Sequence, residues 1–415
     1  SRGLGDVYKR QSLNQAQLPD GQLERQRYTC KDPTSLGVPK RIPITLNAGD
    51  NFSANLNSVA ADARVFLSVE VDADGAGKRW SDRSVRPNIT TDVDGLASYR
   101  GTPYGDTAAN FVTSTRPASM QLTSGAGDCL GLTDDTCRDR VLKWLVGLDN
   151  GSNLYHRCAI PGSKCHLMGD ILHSTPALVN RPLAFLRDES YQAFADSKAK
   201  RPLTLYVSTN DGLLHAFRVA SNERDAVTKA EVDPVNSLAN NELWAFIPPA
   251  VLPLIQSEYP PTQVRLLDGS PVVKDVVAKK QGDGPYVFER TSADAQAGTG
   301  DWRTILVQSF GPGAAVSGYF ALDITDPVVT SSSKPQFLWQ LTVAGDNSKL
   351  FGLGTAKPLI TTVFYDGNGD GEPEEVPVAV LPGGDGVSAG TCARAASATN
   401  IDTNFPGRTT VNCYP

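Results

Sequence analysis

Leu203–Phe217 reads LTLYVSTNDGLLHAF: an apolar run, a turn at Asp211-Gly212, then a second apolar run. Leu203-Thr204-Leu205-Tyr206-Val207 alternates at period two, the pattern of a strand with one buried face. Asp-Gly between two such runs signals a hairpin. Upstream, His173-Ser174-Thr175-Pro176-Ala177-Leu178-Val179 supplies a preceding strand; downstream, Glu242-Leu243-Trp244-Ala245-Phe246 supplies a fourth.

This four-strand unit recurs. A second copy runs through Asp268–Val273, Thr304–Val307 before Gly311-Pro312-Gly313, Gly318–Asp323 and Phe337–Leu341. A third begins with Gly354–Ile360 and Val376–Val380 before Gly383-Gly384-Asp385-Gly386. The prolines Pro176, Pro271 and Pro358 mark the same place in each copy, and Trp244 and Trp339 lie 95 residues apart. Four short strands with a tryptophan on the outer one form the pattern of a propeller blade. One such sheet cannot bury both faces alone, so neighbouring blades must cover each other. The period exceeds the usual ~40–50 residues of a blade. The polar stretches Ser221–Asn240 and Asp283–Gly300 account for much of the excess. The expected fold is all-β dominated: an incomplete β-propeller of quinoprotein-like four-stranded blades, with a short helix and an irregular N-terminal region. Residues 169–415 would hold two complete blades and a truncated third.

The remainder is less regular. Residues 12–125 read as a poorly defined β/loop region. It has an apolar strand at Val65–Val71, turns at Asp72–Gly75 and Asp92–Gly95, and a long Thr/Ser/Ala/Gly loop over Gly101–Gly127. Residues 126–168 form a Cys-containing connector. Its helix is expected over Arg138–Gly147, capped from Asp134-Asp135-Thr136, with Val141, Trp144 and Leu145 on one face. Residues 1–11, SRGLGDVYKRQ, read as a non-native leader, and the chain is expected to be a fragment.

Composition narrows the function classes. The 415 residues are 40% hydrophobic and 20% charged, enough for a packed core. Gly 37 and Pro 28 against Met 2 and His 4 favour turn-rich β structure over helical bundles. A net charge of −6 is unlike a phosphate-binding protein, so no nucleic-acid partner is expected. The longest apolar run, Ala250–Ile255, is far short of the ~20 residues of a membrane-spanning helix. Seven cysteines include two close pairs, Cys129 with Cys137 and Cys158 with Cys165; Cys392 and Cys413 could close a loop, and Cys30 is left over. Local disulfides would point to an oxidising compartment. Buried reduced cysteines acting as small apolar residues are the other reading.

One segment carries recognisable chemistry: Asp366-Gly367-Asn368-Gly369-Asp370-Gly371-Glu372-Pro373-Glu374-Glu375. Oxygen-bearing side chains fall at positions one, three, five, seven and nine, and Gly371 at position six permits a sharp turn. From Leu359 to Ala393 there are six acidic residues and no Lys or Arg. Crowded carboxylates repel unless a cation offsets them, and calcium takes hard oxygen ligands at flexible geometry. The expected ligands are the side chains of Asp366, Asn368, Asp370 and Glu374 and the backbone carbonyl of Glu372. The loop departs from an EF-hand, because Pro377 occupies position twelve and strands flank it. It resembles the calcium loops on integrin-type propeller blades. A solvated acidic turn would carry the same residues.

Other constellations are weaker. Cys158, Cys165, His166 and His173 match no common zinc spacing. His173-Ser174 lacks a nucleophile elbow and reads as a strand-start turn. His215, between Leu214 and Ala216, reads as a packed strand residue. Gly311–Ala315 precedes a strand, so a phosphate cradle is not expected.

Four segments together resemble the C-terminal region of the PilY-type family, the type IV pilus tip-associated adhesins. They are Gly169–Pro176 (GDILHSTP), Tyr206–Phe217 (YVSTNDGLLHAF), Glu242–Pro248 (ELWAFIP) and Tyr319–Pro327 (YFALDITDP). The resemblance covers about residues 125–390. It implies a bacterial, secreted, non-enzymatic protein at the pilus tip or cell surface, associated with the outer membrane. It also implies a modified propeller whose calcium loop maps onto Asp366, Asn368, Asp370 and Glu374, with Glu374 where the family often has Asp. Implied roles are pilus biogenesis and retraction, surface attachment and twitching motility. Implied partners are pilin or minor pilin subunits and a host or abiotic surface ligand. The family's von Willebrand A-like module is not recognisable here. The other functions considered are a quinoprotein-like periplasmic dehydrogenase, although no two cysteines are adjacent, and a lectin-like glycan binder.

Overall fold

The computed structural model describes residues 10–12, 20–31, 40–43, 45, 47–59, 63–68, 107–115, 117–120, 122, 129–148, 157, 166–183, 186–228, 241–258, 264–280, 286–330, 333–342, 351–366 and 369–384. Two short hairpins come first, β1 (Arg10–Ser12) with β2 (Asp20–Gln22) and β3 (Tyr28–Lys31) with β4 (Lys40–Pro43). Helix α1 (Phe52–Asn57), strand β5 (Phe66–Leu67) and helices α2 (Ala108–Ser114), α3 (Pro117–Met120) and α4 (Asp134–Val146) follow.

Three antiparallel units come next. The first comprises β6 (Ala177–Val179), helix α5 (Glu189–Ser197), β7 (Leu203–Ser208), β8 (Leu214–Ala220) and β9 (Glu242–Phe246). The second comprises β10 (Pro271–Val277), the small hairpin β11 (Lys279–Lys280) with β12 (Tyr286–Val287), and helix α6 (Ser292–Gln296). It is completed by β13 (Trp302–Ser309), β14 (Tyr319–Asp323) and β15 (Gln336–Leu341). The third is the hairpin of β16 (Leu359–Tyr365) and β17 (Glu374–Val380). The structure is therefore β-dominated, and each repeated strand falls where its apolar run predicts.

The two larger units match in fine detail. Both are meanders, ordered β6-β7-β8-β9 and β10-β13-β14-β15. Trp244 lies opposite Ala216 and Trp339 opposite Ala321, and each third strand shifts register immediately after that alanine. A bulge at the same place in both copies bends the two sheets alike.

Packing follows the same order. One face of the first sheet, with Leu205, Val207, Phe217 and Val219, covers Leu23, Phe52, Leu56, Leu167 and Met168 from the N-terminal part. Its other face, with Tyr206, Ala216, Trp244 and Phe246, meets Leu306, Phe320, Leu322 and Phe337 of the second sheet. Phe246 sits 5.7 Å from Phe320, ring to ring. The second sheet's remaining face, with Val307, Ala321 and Trp339, then packs on Ile360 and Ala379 of the third unit. Each unit thus offers its tryptophan face to the next. Gly311 (φ 108) lets the strands close at the meeting of units, since a Cβ there would lie 2.4 Å from the Gly269 nitrogen.

The N-terminal half differs from its reading. Gly101–Gly127, expected as a loop, contains α2 and α3. Burial of Phe111, Val112 and Met120 in the main core explains this, because tertiary packing overrides weak helix propensity. Helix α4 begins four residues earlier than expected, with Thr133 rather than Asp134–Thr136 as its N-cap. Val141, Trp144 and Leu145 are buried as predicted, and Gly147 (φ 81) ends the helix. Of Val65–Val71, Phe66 and Leu67 form β5, which pairs parallel to β9 and adds a fifth strand to the first sheet. Cys129 and Cys137 form a disulfide. Cys158, Cys165, Cys392, Cys413 and the Asp72–Gly75 and Asp92–Gly95 turns lie outside the described residues, as does the side chain of Cys30.

A buried polar chain fastens these parts together. The Arg64 guanidinium donates to Glu242 at 2.7 and 2.9 Å, and both side chains are fully buried. Glu242 also bonds His215 Nδ1 at 2.7 Å, and His215 Nε2 lies 3.2 Å from Thr209 Oγ1. Thr209 donates to Asp211, which pairs with Arg157, whose guanidinium lies over the Trp144 ring. Burial works against the charge on Glu242, but Arg64 and His215 outweigh it and hold the carboxyl well below its usual range. His215 is thus a packed strand residue, as expected, and also the middle of this chain.

Nearby Asp170 behaves in the opposite way. Burial, with the Asp211 and Asp268 charges adding to it, pushes its carboxyl up to about 6 despite the Asn210 hydrogen bond. The folded state therefore keeps this proton at pH values where the unfolded chain has lost it. Its stabilising contribution is full below the unfolded value of 3.8 and is lost as pH rises to about 6. Asp170→Asn is expected to flatten this part of the stability curve, measured as urea midpoints between about pH 4 and about pH 7.

Candidate metal centre

The acidic loop joins β16 to β17, with Tyr365 paired to Glu374 at its base. Asp366 organises the turn: its two carboxylate oxygens accept the Gly369 and Gly371 N–H groups at 2.6 and 2.9 Å. Gly369 (φ 78) and Gly371 (φ 89) adopt the left-handed backbone that aims these N–H groups inward. Asp370 accepts the Glu372 N–H at 2.8 Å.

The loop brings carboxylate oxygens of Asp366, Asp370 and Glu374 within 4.8 Å of one another. Calcium–oxygen distances of about 2.3–2.6 Å place two ligands of one ion no more than about 5 Å apart. The three-carboxylate donor set therefore fits a hard divalent cation. Among the described residues this is the cluster of three or more His, Cys, Asp or Glu side chains arranged to hold a metal. Asp370 is exposed and Glu374 is buried, so the site is a half-open cup at the hairpin end. Asn368 lies outside the described residues. Glu372 contributes its N–H to the turn.

Sequence reading missed what holds the loop in place. Arg290, inside the polar stretch Asp283–Gly300, pairs backbone to backbone with Glu375, N–H to O at 3.0 and 2.8 Å in the two directions. Its guanidinium bonds the Glu375 carboxylate from Nε at 2.9 Å and Asp188 from Nη1 at 2.6 Å. It also lies over the Trp302 ring at 5.4 Å. Burial lowers the Arg290 pKa, but Asp188 and Glu375 outweigh it and raise the value overall. Ser292 Oγ donates to the Pro373 carbonyl at 2.7 Å.

The weaker candidates resolve into packing. His173 Nδ1 bonds Asp268, joining the starts of the first and second units. Ser174 is buried, and its Oγ accepts the Ser208 N–H at 3.1 Å. The His166 N–H donates to the Arg157 carbonyl at 2.8 Å. Gly311–Ala315 leads into β14, a strand. Among the described residues, no helix is long and apolar enough to cross a membrane.

No protein-family profile matches the chain, and no solved structure does. Curated relatives do. A protein of Xylella fastidiosa named "Type IV pilus biogenesis factor PilY1 homolog" is 32% identical over 214 residues, which is 48% of this chain and 14% of the relative. A Pseudomonas aeruginosa protein named "Type IV pilus biogenesis factor PilY1" is 30% identical over 206 residues, 47% of this chain and 14% of the relative. The same-named protein of another Pseudomonas aeruginosa strain is 25% identical over 223 residues, 50% of this chain and 16% of the relative. The matched segments therefore span only a small part of these relatives' length. With the repeated strand motifs quoted above, these matches show that about half of the chain is similar to a segment of type IV pilus biogenesis factors of the PilY1 type.

Proposed function

We propose that this chain is part of a calcium-binding type IV pilus biogenesis factor and adhesin that works without enzymatic activity at the pilus tip or cell surface. The observation that carries this reading is the Asp366, Asp370 and Glu374 cluster, lying on a β-hairpin of a chain whose relatives are named for pilus biogenesis. Calcium supplies positive charge to that cup. The chain supplies the rest: Asp366 shapes the turn through two backbone N–H groups, Glu374 is fixed by its strand, and Asp370 closes the open side.

An incomplete propeller is the architecture we assign to the repeats. It is supported by the matching meanders, the equivalent bulges and the one-directional stacking of tryptophan faces. The partners we assign are pilin or minor pilin subunits and a surface ligand, outside the cytoplasm. The Cys129–Cys137 disulfide is consistent with an oxidising compartment.

A complementation experiment tests the role. In a piliated bacterium lacking its own copy of the parent gene, the intact gene should restore surface pili and twitching. The same gene carrying Asp366→Ala should leave both independent of added calcium. Full calcium-responsive twitching in the variant would refute the link between this loop and pilus function.

A further inference from the structure

We infer that Arg290 is the positioning residue of the cation loop and couples cation binding to the seating of helix α5 in the first unit. This inference rests on the metal reading above and adds a route by which the bound state is felt elsewhere.

Glu374 and Glu375 are neighbours on β17, so their side chains point to opposite faces of the strand. Glu374 faces the loop, and Glu375 faces Arg290. Arg290 grips the strand at Glu375 by two backbone hydrogen bonds and by the carboxylate. Any movement of β17 that carries Glu374 toward or away from Asp366 and Asp370 must also move Glu375 against Arg290. With no cation, the three clustered carboxylates repel and drive such a movement; a cation draws them together.

On its far side Arg290 reaches the first unit. Nη1 bonds Asp188, whose other oxygen accepts the Tyr191 N–H at 3.1 Å and so caps α5. Ser190 Oγ donates to Asp188 and accepts from Trp302 Nε1 at 2.8 Å, beneath the Arg290 guanidinium. Tyr191 is fully buried and its ring meets Trp302 edge-on at 5.0 Å. From Glu375, the chain neighbour of Glu374, a continuous set of hydrogen bonds among buried or half-buried groups therefore reaches the cap of α5. Lysine keeps the charge but cannot span Glu375 and Asp188 as a planar fork does.

Hydrogen exchange and calorimetry on the whole chain test this. In the native sequence, calcium should slow exchange of the Tyr191 and Gln192 amides about fivefold or more. In Arg290→Lys, calcium should still bind, weakened by about the factor by which it slows exchange in the native sequence, and the slowing at α5 should vanish. Asp188→Asn should weaken calcium binding by the same factor that calcium slows exchange, because coupling is reciprocal. Should Arg290→Lys fail to fold, Glu375→Gln cuts the same link with a side chain of equal size. Calcium binding that leaves the α5 amides unchanged in the native chain would overturn the coupling and leave the metal site standing. Absence of any calcium binding would overturn the metal site itself.

Discussion

Replacing Arg64 with alanine should destabilise the folded chain by about 3–5 kcal/mol, the usual cost of breaking a fully buried ion pair from one side. Arg64 and Glu242 are both completely buried, so the loss is not softened by water. The Glu242 carboxylate would lose both guanidinium hydrogen bonds, and the Phe66 ring would lose the guanidinium 4.6 Å above it. Strand β5 would loosen too, since Arg64 stands two residues before it. Urea unfolding should show a lower midpoint with an unchanged slope. Arg64→Met combined with Glu242→Gln should cost less than Arg64→Met alone, because the penalty comes from an uncompensated charge. A loss below about 1 kcal/mol for Arg64→Ala would show that the pair is not buried in solution.

The second large effect concerns the loop. Calcium at a hundredfold excess over its dissociation constant should stabilise the native chain by about 2.7 kcal/mol, and Asp366→Ala should remove that gain. Asp366 is the residue of choice because it supplies oxygens to the cluster and also folds the turn through Gly369 and Gly371. Without calcium the variant should unfold close to the native midpoint. The loop lies at the hairpin end, away from the core formed by Trp244, Phe246, Phe320 and Leu322. Thermal melts with calcium and with chelator separate the two effects. An equal calcium-induced shift in both proteins would show that the ion acts elsewhere.

The strands were legible because their residues carry two independent signals. Leu203–Val207 alternates, Ile305–Val307 is a short apolar run within β13, and a glycine turn follows each strand. Repetition reinforced each copy, as with Trp244 and Trp339. The acidic loop was legible because ligand spacing is local: Asp366, Asp370 and Glu374 lie within nine residues, and short-range geometry brings them together. What escaped the sequence is long-range. Arg290 meets Glu375 and Asp188 at separations of 85 and 102 residues, and no periodicity records such a pairing. Helix α2 escaped for a related reason. The Thr- and Ser-containing stretch around it favours a loop, and burial of Phe111 and Val112 holds it helical. Strand β5 is two residues long and gains its place from β9, which is 178 residues away from Arg64 at Glu242.

Isothermal titration of calcium into the native chain, Asp366→Ala and Asp370→Ala tests the metal centre most directly. The native chain should take up calcium at one site, and both variants should give no heat of binding while keeping their β-sheet circular dichroism. Equal calcium affinity in all three proteins, or none in the native chain, would contradict a cation site built from Asp366, Asp370 and Glu374.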